Sequence, residues 1–494
     1  MAIHTSSLWT DEAFSAYLAC HRTLSSLAST LMAGDSSDLQ MAMYYVYLHC
    51  WTILFGFSEF ALRAANSPFI IIFAFVWVWT SLRIFRERWL WIGPAFLPFL
   101  WSYAGEARPY FALMTFGAIC FASLLAYLEQ PTEKEQKYLP WLVLAALFLG
   151  TAFDMLMLLC VAPLMAIVLI YLRQRSDSIR LAHWKPALWA FAVPFAALLT
   201  YVAWTFHRGT AYDYEKPGLL SMGSLIYRFL GLSGYGPNRH FDISFRPYLL
   251  SIAAAAFVLL IAFAGMLIVA FRSQKRLRLV SLVGAFIVAA LQALALSVLL
   301  QQQVDVRHLA ALVPLLLLLP LAAVSEPSGK RNASIAVFST LLLGAVWLIA
   351  DCRMRLLPEY KNEDFRSAVN KSVALYRTSK AAIAMVADPA AAAYYGLDLQ
   401  GDPPCFPLKD SCSAGFAKVP WEHKAPAVFA VGWTTPQIVF WLDKQAAAGL
   451  PAIVIISRGR HPAAKGSPWW PVLLSKPAVC YPVHGFFVYY IPAR

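Results

Sequence analysis

Tyr248 to Phe271 reads YLLSIAAAAFVLLIAFAGMLIVAF, with no charged residue, and Arg272, Lys275, Arg276 and Arg278 follow it at once. A surface helix of a soluble protein is apolar on one face only, whereas this run is apolar on every face. About 20 such residues, rising ~1.5 Å each, cross the hydrocarbon core of a bilayer. The run therefore reads as a transmembrane helix, and the basic cluster behind it as its cytoplasmic anchor.

Similar runs recur on both sides of it. Residues 60–82, 89–104, 110–128, 138–152, 155–172, 186–205, 248–271, 279–301, 308–324 and 334–351 give about ten candidate spans. The composition agrees: 60% hydrophobic, 15% aromatic and only 14% charged over 494 residues, with a mean hydropathy of +0.59. That profile excludes an ordinary soluble domain and predicts an α-helical polytopic membrane protein. The net charge of +13 does not point to nucleic acid, because the basic residues gather in short links between apolar runs. Arg83, Arg86 and Arg88 form one such cluster; Arg173, Arg175, Arg180 and Lys185 another; Arg272 to Arg278 a third; Lys330 and Arg331 a fourth. The positive-inside rule puts these links in the cytoplasm. Glu129 to Lys137 joins them by parity, and both termini then face outward.

Between the spans, Tyr44 to Phe57 is aromatic and too short to cross, and reads as a helix lying in the membrane interface. The outward loop 206–247 is rich in Tyr, Gly, Asp and Arg and is long enough to act as a lid. From residue 352 the composition turns polar. Glu363 to Tyr376 has helical spacing, while 382–387, 427–431, 452–456 and 485–491 read as short strands. The expected organisation is a membrane domain over 1–351, its first outer loop at 1–58, and a small α/β domain over 352–494. Of the eight cysteines, Cys405, Cys412 and Cys480 fall in this outward region, where a disulfide among them is chemically allowed.

The acidic residues near span ends are few: Asp11 and Glu12, Glu106, Asp154, Asp305 and Asp351. All are expected on the outer side, an asymmetry that suits a catalytic groove better than a path across the bilayer. Arg108, two residues past Glu106, offers a planar guanidinium suited to phosphate. Plainer readings compete. Asp11 and Glu12 suit the first turn of a helix for its dipole alone; Glu106 and Arg108 could pair with each other; Arg307 and His308 could anchor a helix at the interface; Asp154 could cap the next span. Gly231, Gly234 and Gly236 with Tyr235 follow no strand and precede no Lys-Ser/Thr, so they do not read as a nucleotide cradle.

Four segments in this order carry a family resemblance: Leu8-Trp9-Thr10-Asp11-Glu12-Ala13-Phe14, Ser58-Glu59-Phe60-Ala61-Leu62-Arg63, Glu106-Ala107-Arg108-Pro109-Tyr110, and Arg307-His308-Leu309 followed by Pro314. Tyr360 to Arg366 adds a fifth at the opening of the outer domain. Together they resemble the bacterial branch of the glycosyltransferase C superfamily, the family 39-like branch of protein O-mannosyltransferases and lipid A aminoarabinose transferases. The resemblance implies an inverting transferase of the plasma membrane, working at its outer face on a polyprenyl-phosphate-linked sugar. Its acceptor would be an envelope glycan, lipid or protein hydroxyl, and no nucleic acid is involved.

Carried over residue by residue, Asp11 is the general base. Arg108, Arg239 and Arg307, with His308 nearby, would steady the departing lipid phosphate. Glu12, Tyr44, Tyr45 and Tyr110 complete the substrate-contact set. For Glu106, grouped with Asp11 as catalytic, three roles remain open: orienting the acceptor, holding Arg108, or sharing a divalent ion with Asp11. No ligand spacing demands a metal or other cofactor. Two departures from the family pattern are visible. Relatives carry a transmembrane helix before the Asp-Glu pair, where this sequence has only Met1 to Thr10, which implies either a start assigned downstream of the true one or a chain that lacks that helix. Met41-Ala42-Met43 also replaces the His-Pro-Pro or Lys-Pro-Pro run that often precedes the paired aromatics. A lipid-linked glycan transporter and a catalytically inactive relative are the alternative readings.

Overall fold

The computed structural model describes residues 7–33, 37–87, 89–129, 131–174, 181–208, 219–236, 246–273, 276–299, 305–325, 329–357, 360, 363–400, 422, 424–457 and 468–493. Within them are nine helices long and apolar enough to cross a membrane: Glu59–Phe85, Tyr110–Glu129, Glu133–Phe153, Met155–Gln174, Trp184–Thr205, Leu249–Arg272, Leu277–Leu299, Val306–Ser325 and Lys330–Leu356. The chain is a helical multi-span membrane protein with a C-terminal α/β region.

The second and eighth spans form the centre, buried over 94% and 89% of their apolar windows. They approach closely because residue 117 is glycine: a Cβ there would collide with the Ala311 carbonyl oxygen. The fifth span lies at the rim, with Trp189 80% and Val193 77% exposed, the surface expected of a helix facing lipid tails.

One expected span is different in kind. Residues 89–104 are a 3₁₀ stretch, Trp89–Phe96, and a short helix, Pro98–Ala104. Gly93, Pro94 and Pro98 explain the break, since proline lacks the N–H that a continuous helix requires. The passage still returns along the bundle. It leaves from the end where Arg83 pairs with Glu135, at 2.8 Å. It arrives where Asn66 Nδ2 donates to the Tyr103 and Glu106 carbonyls, at 3.1 and 2.6 Å. Asn66 and Arg83 lie near opposite ends of the first span, so among the described residues the broken passage takes the chain back along the bundle between the first and second spans.

A second ion pair lies at the end marked by Arg83. Arg278 pairs with Glu129, which also accepts from the Tyr171 hydroxyl at 3.1 Å. The links after the first and second spans and the one before the seventh thus share one end, the first and third as expected from their basic residues and the second as expected from parity.

At the other end, Ala42–Phe55 is a helix with Tyr44, Tyr45, Leu48, His49 and Thr52 buried. Ile53 and Leu54 are 68% and 74% exposed. The exposed residues of this helix are thus apolar, and its buried ones include the polar side chains of His49 and Thr52.

The last span runs on to Leu356, past the expected boundary. Beyond it, a helix at Phe365–Ser379 precedes a six-stranded sheet of order β2-β3-β1-β4-β6-β5. The strands are β1 Ala382–Val386, β2 Leu397–Gln400, β3 Ala425–Phe429, β4 Ala452–Ser457, β5 Val479–Val483 and β6 Phe486–Ile491. The first four in spatial order are parallel; β6 runs antiparallel to β4 and to β5. Four of these strands were expected; β2 and β5 were not. One face, with Ile383, Met385, Ile453 and Ile455, belongs to the same apolar core as the membrane domain. The other face, with Ala384, Val454 and Ile456, is covered by the Thr435–Ala447 and Trp469–Leu474 helices. Cys480 is free, against the pairing contemplated for it; Cys405 and Cys412 lie outside the described residues.

Candidate active site

The Thr10–Ala19 helix opens with Asp11 and Glu12 in its first turn, where carboxylates oppose the positive end of the helix dipole. Successive helix residues point about 100° apart, and the two carboxylates have different fates. Glu12 is fully buried. Its oxygens accept from Arg63 Nε at 2.8 Å and Nη2 at 2.6 Å, from the Ala107 N–H at 3.0 Å and from the Trp9 N–H at 3.3 Å. With both oxygens committed, Glu12 ties the N-terminal helix to the first span and to the Glu106 turn. This replaces the substrate contact expected of it.

Asp11 is partly exposed, with its side chain 25% accessible, and is ion-paired to Arg307. Arg307, 18% exposed, lies with its guanidinium carbon 6.0 Å from the centre of the Trp9 ring. Asp305 stands between two cations, 3.5 Å from Arg307 Nε and 3.6 Å from Arg228 Nη1. His308 accepts the Asp305 N–H on Nδ1 at 3.1 Å and so caps the helix turn that displays Arg307. The ring thus has a structural function through Nδ1, which leaves Nε2 as the protonated nitrogen. Arg239 lies outside the described residues.

Arg108 is 6% exposed and does not pair with Glu106. Its Nη1 donates to Tyr45 at 2.8 Å and to Ser15 at 3.2 Å, and lies 3.5 Å from the Asp38 carboxylate. Tyr45 in turn donates to Asp38. Tyr110 lies under the guanidinium, its ring centre 5.7 Å from the Arg108 carbon. Asp38 and Arg228 were absent from the sequence-based set, and neither carries a local pattern that singles it out.

Among the described residues, the polar atoms buried here without a hydrogen-bond partner include Glu106 Oε2, Arg108 Nε, Arg307 Nε and the Tyr44 hydroxyl. Buried polar groups are normally satisfied, so such a group asks for an explanation. Burial, then the nearby Glu12 charge, push the Glu106 carboxyl up to about 8, with Arg307 pulling the other way. At neutral pH Glu106 is therefore largely a hydrogen-bond donor. Asp154, which caps the next turn through the Leu156 N–H at 2.9 Å, is pushed up to about 7 by burial, against that bond and the charges of Arg108 and Arg307. Among the described residues, no three His, Cys, Asp or Glu side chains come together as metal ligands. Asp11 meets a cation from the protein, so a shared ion with Glu106 gains no support.

Residues from the N-terminal helix, the Glu106 turn and the start of the eighth span thus converge on one end of the bundle. It can accept a proton at Asp11, place cations on an anion through Arg307, and donate from Glu106.

The chain is similar in fold to ArnT. It matches over 99% of its own length and 95% of the other chain in two crystal structures of ArnT from Cupriavidus metallidurans. The TM-score is 0.49 for the apo state and 0.44 for the complex with undecaprenyl phosphate, at 12% sequence identity in both. No protein-family model and no curated protein matches the chain.

Proposed function

We propose that the protein is an inverting glycosyltransferase that moves a sugar from a polyprenyl-phosphate donor to a hydroxyl of an envelope acceptor at the outer face of the plasma membrane. The observation that carries this reading is the convergence of Asp11, Glu106 and Arg307, far apart in sequence, on the same end of the bundle. In the reaction the acceptor oxygen bonds to the anomeric carbon as the carbon–oxygen bond to phosphate breaks. The electron pair leaves with the phosphate and the hydroxyl proton passes to Asp11. A positioned base contributes roughly 10²–10⁴-fold to such a step, and cations held where negative charge grows favour departure of the phosphate. Arg307 serves that purpose, and donor phosphate drawing on Arg307 frees Asp11 to act.

The orientation follows from the basic links at the Arg83 end, which belong in the cytoplasm. The C-terminal region, held at the Asp11 end, is then periplasmic or extracellular. Transport is the weaker reading, because the charged residues of the described spans lie near span ends.

The test is transfer of radiolabelled sugar from polyprenyl-phosphate extracts to envelope fractions by the purified protein in liposomes. Asp11→Asn should lower transfer by roughly 10²–10⁴-fold while membrane insertion, and thermal stabilisation by undecaprenyl phosphate, persist. Full transfer by the variant removes Asp11 from the base role. Sugar that crosses the bilayer without a new bond supports a transporter; neither bond nor movement in the wild type supports an inactive relative.

A further inference from the structure

The segment that carries Asp11 is held by the C-terminal region as well as by the membrane domain. Tyr395, 7% exposed, joins the two. Its hydroxyl accepts the N–H of fully buried Leu8 at 2.6 Å and donates to Glu59 Oε1 at 2.6 Å. Arg366 completes the contact from the same region: its guanidinium pairs with Glu59 and its backbone N–H donates to Ser7 Oγ at 3.1 Å. The Ser7 carbonyl accepts from Arg63 Nη2 at 3.1 Å, the guanidinium that also grips Glu12. Tyr394 adds a bond to the Phe57 carbonyl at 2.8 Å. Ser7 and Leu8 immediately precede the helix turn in which Asp11 meets Arg307.

We infer that Tyr395 is a positioning residue for transfer: with Glu59 and Arg366 it fixes the Ser7–Leu8 backbone and thereby the place of the Asp11 carboxylate. The inference rests on the reading of Asp11 as base. Tyr395 never touches substrate and acts only through the backbone it holds. Burial, then the bond to Glu59, push its hydroxyl above the usual tyrosine range, so it keeps its proton and can donate at every working pH. A shift of ~1 Å in a reacting group costs on the order of 10²-fold in rate, which makes such a latch worth having. The α/β region is, on this view, part of the transfer machinery and more than a cover.

Tyr395→Phe keeps the ring and removes the hydroxyl. In the full-length protein in liposomes we expect kcat to fall roughly 10- to 100-fold with the donor KM unchanged and the melting temperature within a few degrees of wild type. Glu59→Gln, which keeps an acceptor for Tyr395 but discharges the pair with Arg366, should give a smaller fall of the same kind and serves if Tyr395→Phe does not insert. In an Asp11→Asn background Tyr395→Phe should have no further effect on the residual rate, since both act at one step. Unchanged kcat in both variants, a loss confined to KM or to melting temperature, or full additivity with Asp11→Asn would overturn the inference. Asp11→Asn with wild-type activity would instead overturn the base assignment, so the two failures are distinct.

Discussion

The Glu12 carboxylate and the Arg63 guanidinium form a forked pair with side chains 0% and 1% exposed, joining residues 51 positions apart. Removing one member leaves a buried charge without its partner, which costs about 3–5 kcal/mol, whereas replacing both with apolar groups of similar size is far milder. Arg63→Met alone should therefore lower the stability of the detergent-solubilised protein more than Arg63→Met combined with Glu12→Leu. Thermal unfolding of the two variants side by side decides it. A double variant less stable than the single one would mean that the fork is worth more than its desolvation.

Glu106 gives a pH signature. Its carboxyl is raised from an ordinary 4.5 to about 8 by burial and by Glu12. Between those values the folded state holds a proton that the unfolded state has released. Unfolding free energy must then fall as pH rises from about 4.5 to 8 and level off above. Glu106→Gln cannot ionise and escapes this loss. The difference in melting temperature between variant and wild type should be small near pH 5 and widen in favour of the variant toward pH 8; parallel curves across that range would show that Glu106 is already ionised in the fold.

Most of the bundle was legible because a membrane span writes itself as a long uninterrupted run, and basic links mark its ends. The exception, residues 89–104, has the hydropathy of a span, but Gly93, Pro94 and Pro98 interrupt the backbone ladder, a cue that counting apolar residues overlooks. The strands β2 and β5 escaped for different reasons. β2 has four residues, too few to establish alternation. β5 contains Pro482, which disfavours a central strand yet is tolerated at a sheet edge, where β5 lies. In the site, Asp11, Glu106, Arg108 and Arg307 came from ordered short motifs. The division of labour between Asp11 and Glu12 did not, because it depends on which way each side chain points and on Arg63 and Ala107 being there to receive Glu12. Asp38, the carboxylate beside Arg108, is joined to it across 70 positions of chain and leaves no local trace.

Gly117 offers the sharpest test of the packing. The second span meets the turn at the start of the eighth there, and an added Cβ would collide with the Ala311 carbonyl oxygen. That carbonyl cannot easily retreat, because it also accepts from the Cys160 thiol at 3.3 Å. Overpacking at such a contact costs about 1–3 kcal/mol, so Gly117→Ala should lower the melting temperature in detergent. It should also lower transfer activity, since the same turn displays Arg307. Gly344, on the ninth span, has nothing within 4 Å of the place its Cβ would occupy. There the only change is the loss of backbone freedom in the unfolded chain, and Gly344→Ala should stabilise by roughly 0.5–1 kcal/mol. Opposite signs at the two glycines would confirm that the central helices meet at residue 117; a matching rise at both would mean that they do not.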